Sequence, residues 1–435
     1  MRISVIGCGY LGAVHAAAMA SLGHDVVGVD VDEAKVALLE SGTAPFHEPG
    51  LDTLLVEQLA SGRLRFSTDP AAVAGASVHF LAVGTPQSAT GNAADLRFVD
   101  TAIESLLPHL AAGDLVVGKS TVPVGTAERL AARLHEAGTG ASLAWNPEFL
   151  REGHAVADTV SPDRLVYGVR RDDTDAVAAL DEVYATPIAA SIPRIVTDYA
   201  TAELVKVAAN AFLATKISFI NAMAEIAETV GADVTELADA LGHDARIGRR
   251  FLNAGVGFGG GCLPKDIRAF SARAEELGRG DSVAFLREVD EINLRRRRRA
   301  VDLALEAFDG SVVGRRIAVL GVTFKPDSDD VRDSPALDVA VQLRGLGAKV
   351  IATDPHGIPN ARLKHPQLKY AERTTDALRR AELVILVTEW DEYRTLDPVA
   401  TAQAVAVPAI IDGRNVLDPV AWRAAGWRYW GMGRP

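Results

Sequence analysis

The segment Ile3-Ser4-Val5-Ile6-Gly7-Cys8-Gly9-Tyr10-Leu11-Gly12 decides the fold of the first part of the chain. A short apolar run leads directly into three glycines spaced GxGxxG, and an alanine-rich run follows as far as Leu22. A second apolar run, 26–29, ends at Asp30. Strand, tight turn, helix and second strand in this order predict a βαβ unit.

The glycine turn predicts a site for a dinucleotide. Gly7, Gly9 and Gly12 permit a tight turn, the approach of a pyrophosphate and close packing of the helix on the strand. Asp30, at the end of the second strand, is placed to accept hydrogen bonds from ribose hydroxyls. Because its carboxylate would repel a 2′-phosphate, the sequence favours NAD over NADP. Lys35 is compatible with an adenosine contact and equally with a solvated surface.

Further apolar runs at 78–83, 115–117 and 143–145 are separated by stretches long enough for helices, which predicts a parallel, doubly wound sheet. The loops after these strands lie at the carboxyl edge, where open α/β sheets bind ligands. Two of them are predicted cofactor loops, with ordinary strand-end turns as the alternative: Val83-Gly84-Thr85-Pro86 and Lys119-Ser120-Thr121. The third loop carries Glu148 and Glu152, which would share a face if the segment were helical.

After residue 198 the pattern changes to helical periodicity, and near residue 316 a second strand-turn-helix-strand pattern begins. In this second copy an insertion, 322–331, replaces the dinucleotide glycines. The predicted fold class is α/β, with two Rossmann-like doubly wound domains joined by a long central helix and a helical middle domain. The predicted domains are an NAD-binding domain at 1–195, a helical domain at 196–300 that includes Cys262, and a second Rossmann-like domain at 310–435.

The composition excludes several classes of protein. The 435 residues suffice for two or three cores. With 45 Lys and Arg against 57 Asp and Glu, the net charge of -12 argues against a nucleic-acid partner. Two cysteines give no disulfide framework and suit a reducing compartment. The first apolar run is too short for a signal peptide, and charged residues interrupt the apolar stretch 201–223, so a cytoplasmic protein without a membrane span is predicted.

The second glycine-rich segment, Gly255-Val256-Gly257-Phe258-Gly259-Gly260-Gly261-Cys262, predicts a backbone that crowds a ligand. Pro264 suits the first turn of a helix, so Cys262 is expected at a helix N-terminus beside Lys265, where a thiolate is favoured. Asp266 is a candidate base or water-orienting group. The alternative for Cys262 is a small buried apolar residue, which is the reading preferred for Cys8.

Lys206 and Asn210 lie on one face of the predicted long helix among apolar residues. Burying them is costly unless an anion or a hydrogen-bonding group meets them, so they are a candidate oxyanion clamp. The alternative is a lysine that reaches solvent and an asparagine bonded to the main chain. The arginine run 295–299 points in all directions on a helix and predicts a solvated or salt-bridged surface. The cations Lys325, Arg332 and Arg414 are expected to contact a second phosphorylated ligand.

Six ordered motifs carry a resemblance that covers essentially the whole chain: GCGYLG, KSTVPVGT, NPEFLREG, ELVKVAANAFLATKISFIN, GFGGGCLPKD and FKPDSDDVRDSP. In these motifs the chain resembles the UDP-glucose/GDP-mannose dehydrogenase family. The resemblance implies an NAD-dependent four-electron oxidation of a sugar's primary alcohol to a carboxylate, through a thiohemiacetal and a thioester on a cysteine. The segment before the cysteine is most similar to members that act on UDP-glucose. Members that act on GDP-mannose are the nearest alternative, and a catalytically idle NAD or nucleotide-sugar sensor is the alternative from another class.

The resemblance also implies roles for individual residues, and it implies no metal ligand. Cys262 would be the nucleophile, Lys206 and Asn210 would stabilise oxyanions, Asp266 would assist proton transfer, Glu148 would be the base for hydrolysis, Thr121 would place the water, and Glu152 would lie near both ligands. Implied cofactor contacts are Gly7, Gly9, Tyr10, Leu11, Gly12, Asp30, Lys35, Val83, Gly84, Thr85, Pro86, Ser120, Thr121, Glu152, Lys265 and Arg332. Implied substrate contacts are Phe149, Leu150, Glu152, Lys206, Asn210, Arg246, Phe251, Gly255, Phe258, Gly259, Phe324, Lys325 and Arg414.

Two further implications concern assembly and a departure from the family pattern. Arg246 would reach across the interface of a homodimer, and Arg332 would close the cleft over the cofactor. The family usually has a serine before the nucleophile, and this chain has Gly261. Little loss of activity and a more mobile loop are expected from that difference.

Overall fold

The computed structural model describes residues 1–435. The chain divides into two compact units. The first comprises Met1–Ala209 with Ala272–Gly278, and the second comprises Asn210–Ser271 with Arg279–Pro435. Each unit is built around one mainly parallel sheet.

The sheet of the first unit has eight strands in the order β3-β2-β1-β4-β5-β6-β7-β8. Strands β1 to β6 are mutually parallel, whereas β7 pairs antiparallel with β6, and β8 pairs parallel with β7. The strands are β1 (Arg2–Ile6), β2 (Asp25–Val29), β3 (Leu64–Ser67), β4 (Val78–Leu81), β5 (Leu115–Gly118), β6 (Ser142–Trp145), β7 (Leu165–Val169) and β8 (Arg194–Thr197).

Helices cover this sheet. Helix α2 begins where the Asp32 side chain accepts a hydrogen bond from the main-chain N–H of Lys35, and Asp173 starts α7 in the same way by accepting from Ala176. The helices are α1 (Tyr10–Ser21), α2 (Glu33–Glu40), α3 (Leu51–Ala60), α4 (Arg97–Leu106), α5 (Thr126–Glu136), α6 (Ala155–Val160), α7 (Thr174–Val183) and α8 (Ala185–Ala189). Helix α1 is buried almost all round because its alanines pack closely against the sheet.

The long helix α9 (Tyr199–Val230) follows. By length and composition alone this helix could cross a membrane, and 44% of its most apolar window is buried inside the protein. A core helix of a soluble protein meets the same criteria, so this property is weak evidence of a membrane span. The remaining helices of the middle region are α10 (Val234–Gly242), α11 (Leu263–Glu276) and α12 (Phe285–Ala307).

The second unit contains a six-stranded parallel sheet in the order β11-β10-β9-β12-β13-β14. Its strands are β9 (Arg316–Leu320), β10 (Lys349–Thr353), β11 (Lys369–Tyr370), β12 (Leu383–Leu386), β13 (Ala409–Asp412) and β14 (Arg428–Gly431). Its helices are α13 (Pro335–Gly345), α14 (Ile358–Lys364), α15 (Thr374–Leu378), α16 (Asp391–Arg394), α17 (Pro398–Ala404) and α18 (Pro419–Ala424). Two Rossmann-like sheets and a helical middle region confirm the predicted fold class.

One sequence expectation about local structure was wrong, and two details were not predicted. Strands β7 and β8, with the antiparallel pairing of β7 and β6, were not predicted. The segment that contains Glu148 and Glu152 is not helical, so the condition under which the two carboxylates would share a face is not met. Within the arginine run, Arg296 and Arg297 are buried instead of solvated, because each has carboxylate and carbonyl partners.

Candidate active site

Of the three glycines in the first unit's glycine turn, only Gly9 leaves room for a ligand. A Cβ on Gly7, whose φ is +88°, would lie 2.7 Å from the Val83 side chain, and a Cβ on Gly12 would lie 1.8 Å from the Gly7 carbonyl oxygen. These two glycines are therefore required by the protein's own packing. A Cβ on Gly9 would meet nothing within 4 Å. Helix α1 starts at Tyr10 without a side-chain cap, which leaves a helix N-terminus suited to a pyrophosphate.

Asp30 lies at the carboxyl end of β2, beside this turn. Its Oδ2 atom accepts hydrogen bonds from the Cys8 main-chain N–H at 2.7 Å and from Lys35 Nζ at 2.9 Å. Its Oδ1 atom accepts from the Asp32 main-chain N–H at 3.0 Å. Lys35 is therefore an ion-pair partner of Asp30 and not an isolated surface lysine. The open Gly9, the uncapped helix and the fixed Asp30 carboxylate fit NAD.

Tyr10 has a different role from a simple turn residue. Its hydroxyl donates a hydrogen bond to the buried Glu48 carboxylate, and burial raises the pKa of this tyrosine, so the hydroxyl stays protonated. The same carboxylate accepts from the main-chain N–H groups of Gly153 at 2.6 Å and Ala155 at 2.7 Å. Glu48 thus ties the glycine turn to the loop that carries Glu152. Sequence reasoning missed Glu48, because a single glutamate in a loop gives no periodic signal.

The two predicted cofactor loops follow neighbouring strands and are joined to each other. Ser120 Oγ donates to the Val83 carbonyl at 2.7 Å, and Thr85 Oγ1 donates to the Thr121 carbonyl at 2.7 Å. Gly84 and Pro86 are exposed, whereas Thr85 and Ser120 are buried. The hydroxyls therefore hold the loops together, and exposed main chain remains at the sheet edge.

Glu148 and Lys206 form an ion pair in the first unit. Lys206 Nζ lies 2.9 Å from Glu148 Oε1, and the Lys206 side chain is only 7% exposed. The alternative of a lysine reaching solvent is therefore excluded. Glu148 Oε2 accepts from the Leu150 main-chain N–H at 2.8 Å, which fixes the carboxylate in its own turn. The Phe149 ring contacts the Arg164 guanidinium, whose carbon lies 3.8 Å from the ring centroid.

Cys262 immediately precedes α11 in the second unit and is exposed. Its carbonyl accepts the first helical hydrogen bond, from the Asp266 main-chain N–H at 2.9 Å. The helix N-terminus therefore acts on this residue and favours the thiolate. Cys8 differs in every respect, because it is fully buried and burial raises the pKa of its thiol. The reading of Cys8 as a packing residue is confirmed.

Asp266 is buried at 2% exposure on the first turn of α11. One oxygen accepts from Asn210 Nδ2 at 2.7 Å, and the other forms an ion pair with Lys265. The alternative that Asn210 bonds to the main chain is therefore excluded. Asn210 follows Lys206 by one turn of the continuous helix α9. The predicted clamp residues are thus both buried, and each has a carboxylate partner.

The glycines before Cys262 are required by protein packing, and their predicted contact with a ligand stays a prediction. A Cβ on Gly255 would lie 2.6 Å from the Gly413 carbonyl, and one on Gly259 would lie 2.3 Å from the Asp333 carbonyl. On Gly260 it would strike the Phe324 ring at 2.7 Å, and on Gly261 it would strike the Arg332 guanidinium at 2.3 Å. The loop is therefore wedged against the segments that follow β9 and β13.

A cradle on α12 holds the same loop, and sequence reasoning missed it. Asn293 Oδ1 accepts from the Phe258 main-chain N–H at 2.7 Å, and its Nδ2 donates to the Phe258 carbonyl at 2.9 Å. Arg297 donates to the same carbonyl at 3.0 Å and pairs with Asp333 at 2.8 Å. Asn293 and Arg297 are four residues apart on the buried face that also contains Ala300, and this periodicity could have separated them from the solvated arginines.

The residues implied as substrate contacts are placed unevenly. Arg414 donates to the carbonyls of Gly257 at 2.8 Å and Val387 at 2.6 Å, so its guanidinium braces the loop. The Phe258 ring is buried in a core cluster, and the main-chain N–H and carbonyl of Phe258 are already hydrogen-bonded to α12. Phe251 is partly exposed with a φ of +65°. Arg246 is 88% exposed and pairs with Asp244.

Two cations and one aromatic ring lie in the turn that follows β9. Lys325 Nζ lies 5.2 Å from the centroid of the Phe324 ring. Arg332 forms a two-pronged ion pair with Asp330, with contacts of 2.9 and 2.7 Å. No group of three or more histidine, cysteine, aspartate and glutamate side chains is arranged to hold a metal ion.

Comparison with known sequences shows the family to which this chain belongs. The NAD binding domain of one family matches residues 1–188, its central domain matches 200–295, and its UDP binding domain matches 318–419. The chain belongs to the UDP-glucose/GDP-mannose dehydrogenase family. It is therefore an NAD-dependent oxidoreductase of nucleotide sugars, and its NAD domain coincides with the open glycine turn and Asp30.

Relatives within the UDP-glucose/GDP-mannose dehydrogenase family match the whole chain. The UDP-glucose 6-dehydrogenase of Rhizobium meliloti is 41% identical over 100% of both chains. The UDP-glucose 6-dehydrogenase TuaD of Bacillus subtilis is 42% identical over 100% of this chain and 93% of its own. The solved structure of a UDP-glucose dehydrogenase from Pyrobaculum islandicum has a TM-score of 0.90 and 40% identity, covering 100% of this chain and 98% of that one.

Proposed function

We propose that this protein oxidises UDP-glucose to UDP-glucuronate, with two NAD consumed per sugar. The observation that carries the proposal is the exposed Cys262 at the N-terminus of α11, followed by Asp266 that is held by Asn210. The full-length similarity to UDP-glucose 6-dehydrogenases supports UDP-glucose as the substrate. The overall balance is one alcohol, one water and two NAD⁺ giving one carboxylate, two NADH and three protons.

The residues implied as contacts divide between two ligands. Gly9, the N-terminus of α1 and Asp30 would hold the pyrophosphate and ribose of NAD. Bound NAD supplies the hydride acceptor for both oxidations. Lys325 and Arg414, in the UDP binding domain, would place the nucleotide sugar, so that its primary alcohol is presented to the reacting groups.

The nucleophile and the oxyanion donors act on the aldehyde. The Cys262 sulfur adds to the aldehyde carbon, and the carbonyl oxygen becomes an oxyanion. Lys206 has ammonium protons beyond the one that meets Glu148, and Asn210 has a second amide proton beyond the one that meets Asp266. Both side chains can therefore donate to an oxyanion without abandoning the carboxylate that positions them.

Hydrolysis releases the product. We assign Glu148 as the base, because its carboxylate is fixed by the Leu150 main chain and by Lys206. The water oxygen bonds to the thioester carbon, its proton goes to the base, and the carbon–sulfur bond breaks to return the Cys262 thiolate. Thr121 would place the water, Asp266 would assist proton transfer, and Glu152 would lie near both ligands.

A homodimer is part of the proposal. The second unit's part of α9 exposes a row of large apolar side chains at intervals of seven, seven and four residues: Phe212, Phe219, Ile226 and Val230. Exposed rows of this kind favour pairing with another helix. Arg246 is exposed, as a residue that contributes to a neighbouring subunit must be. Light scattering after gel filtration tests the dimer, and a Phe219→Glu variant should be monomeric.

We also propose boundaries for the three domains and a location in the cell. The three domains are proposed to span 1–195, 196–300 and 310–435, with support from the three matched family domains. A cytoplasmic location is supported by the low cysteine content, since two cysteines in 435 residues provide no disulfide framework and suit a reducing compartment.

The test measures NADH formed from a limiting amount of nucleotide sugar. About two NADH per UDP-glucose are expected, since each two-electron oxidation reduces one NAD. A yield of two with GDP-mannose and none with UDP-glucose would transfer the assignment to that alternative. No NADH with any nucleotide sugar would favour the idle sensor. The Cys262→Ser variant should fail to complete the second oxidation while it still binds NAD.

A further inference from the structure

Lys119 is a buried lysine next to the end of β5 whose partners carry no charge. Its Nζ donates to Asn146 Oδ1 at 3.0 Å, to the Asn146 carbonyl at 3.4 Å and to the Tyr184 hydroxyl at 3.3 Å. The residue is 6% exposed, and the centroids of the Phe80 and Tyr184 rings each lie 5.8 Å from the ammonium. An ammonium in such surroundings is costly to bury. An apolar residue would fill the same space without that cost.

The hydrogen bonds of Lys119 converge on the turn that carries Glu148. Asn146 directly follows β6, two positions before Glu148, and its Oδ1 also accepts from the Tyr184 hydroxyl at 2.6 Å. Its Nδ2 donates to the Val166 carbonyl at 2.9 Å. Both ends of the Asn146 side-chain amide are therefore hydrogen-bonded, which fixes the start of the turn that carries Glu148.

Four titratable groups face Lys119 from the surrounding elements: Glu148, Lys206, His15 and Tyr184. Burial lowers the pKa of Lys119 to about 8, Glu148 opposes this shift, and Lys206 adds to it. Burial, with the charge of Lys119, lowers the pKa of His15 well below its usual value, and burial raises the pKa of Tyr184. His15 and Tyr184 are therefore neutral near pH 7, and Glu148 is the anion that balances the two lysines.

We propose that Lys119 is a positioning residue for Glu148: it fixes the turn through Asn146 and supplies a second positive charge near the carboxylate at neutral pH. Lys206 forms the direct ion pair with Glu148, and it is also a proposed donor to the oxyanion. When Lys206 donates to Glu148 and to an oxyanion at the same time, its positive charge is shared between two anions, and Lys119 supplies a second cation on the side of Glu148. The proposal rests on the function proposed for this protein, in which Glu148 is the base.

The test compares Lys119→Met, which keeps the length and apolar body of the side chain but removes the charge, with Tyr184→Phe. The second variant is the matched control, because it removes a hydroxyl from Asn146 and leaves the ammonium in place. For Lys119→Met we expect kcat to fall by about tenfold, with the KM for NAD unchanged. Loss of a nearby cation raises the pKa of a carboxylate, so the acid limb of the kcat profile should move up by about 0.5 to 1 pH unit. Tyr184→Phe should leave that limb in place.

A second measurement uses the protein without ligands. The pKa of Lys119 in the folded state, about 8, lies below that of an unfolded lysine, so between these values the unfolded state binds more protons. This group therefore makes wild type more stable as pH rises from about 8 to about 10. The melting temperature of wild type relative to Lys119→Met should increase over that range.

The outcomes separate the proposal from its basis. An unmoved acid limb in Lys119→Met, with kcat and melting temperature changed as in Tyr184→Phe, would show that Lys119 only supports the fold. If Lys119→Met does not fold, Lys119→Gln replaces it with the same expectations. If wild type forms no NADH from UDP-glucose, the proposed function fails, and with it the role of Glu148 as base, although the melting experiment still reports whether Lys119 is buried as an ammonium.

Discussion

The two strand-turn-helix units, which begin at β1 and at β9, share a plan and differ at the turn. In the first, only residues 7–9 separate β1 from α1, and the helix has no side-chain cap. In the second, residues 321–334 separate β9 from α13, and Ser334 caps the helix by accepting from the Leu337 main-chain N–H at 3.3 Å. The first helix N-terminus is thus available to a phosphate, and the second is already capped by the protein.

The aspartates that follow β2 and β10 differ in the same way. Asp30 accepts three hydrogen bonds, from Cys8, Lys35 and Asp32. Asp354 is 2% exposed and accepts six, which come from the main chain and side chain of Thr323, the Trp390 indole and the main-chain N–H groups of Val322, His356 and Gly357. The same residue type at the same strand end is a proposed ligand group in one domain and a structural anchor in the other. Three of the six donors to Asp354 come from Val322 and Thr323 of the inserted turn, which has no counterpart beside Asp30.

The sharpest test of this contrast exchanges each aspartate for asparagine. Asp354→Asn should lower the free energy of unfolding by about 2–4 kcal/mol, because an amide cannot accept all the buried donors that now meet a carboxylate. Denaturant unfolding measures the change. Asp30→Asn is the matched control, and its stability should stay close to that of wild type. Equal destabilisation by the two variants would remove the distinction between anchor and ligand group.

The glycines of the first turn give an effect of intermediate size. Gly12→Ala should destabilise the first domain by about 1–3 kcal/mol, because the new methyl group would overlap the Gly7 carbonyl oxygen. Gly9→Ala is the control. It should affect NAD binding instead of stability, because its methyl group meets no protein atom within 4 Å. Its melting temperature should match that of wild type while its affinity for NAD, measured by calorimetry, falls. Normal NAD binding by Gly9→Ala would argue against a pyrophosphate at this turn.

The smallest of the three effects concerns cofactor choice. Asp30→Asn should raise the KM for NAD about tenfold, by loss of charge-assisted hydrogen bonds to the ribose. It should also reduce the discrimination against NADP, because the repulsion of a 2′-phosphate is removed. Lys35→Met retains the carboxylate and should change the KM for NAD much less. Steady-state kinetics with NAD and with NADP measures both effects. Unchanged KM values for NAD and NADP in Asp30→Asn would contradict the assignment of Asp30 to the ribose.

The sequence predicted those parts of the molecule that depend on local pattern. The βαβ unit, the cysteine before a helix and the buried Lys206 and Asn210 follow from glycine spacing, a proline at the second helical position and polar residues on an apolar helix face. Strands β7 and β8 were missed because strand direction depends on pairing with β6, which lies outside the local pattern. The buried Arg296 and Arg297 were missed because their partners, Glu228 and Asp333, are distant in sequence.

By itself the sequence determined the fold class, the NAD domain, the family and the position of Cys262 at the start of a helix, because each depends on residues close together in the chain or on motifs in a fixed order. Only the tertiary structure decided what those residues touch. The glycines before Cys262 accommodate Gly413, Asp333, Phe324 and Arg332, and the Asp354 carboxylate is occupied by six donors. Hydrogen bonds and close contacts act over a few ångströms in space, so residues far apart in sequence determine which polar groups remain available to a ligand.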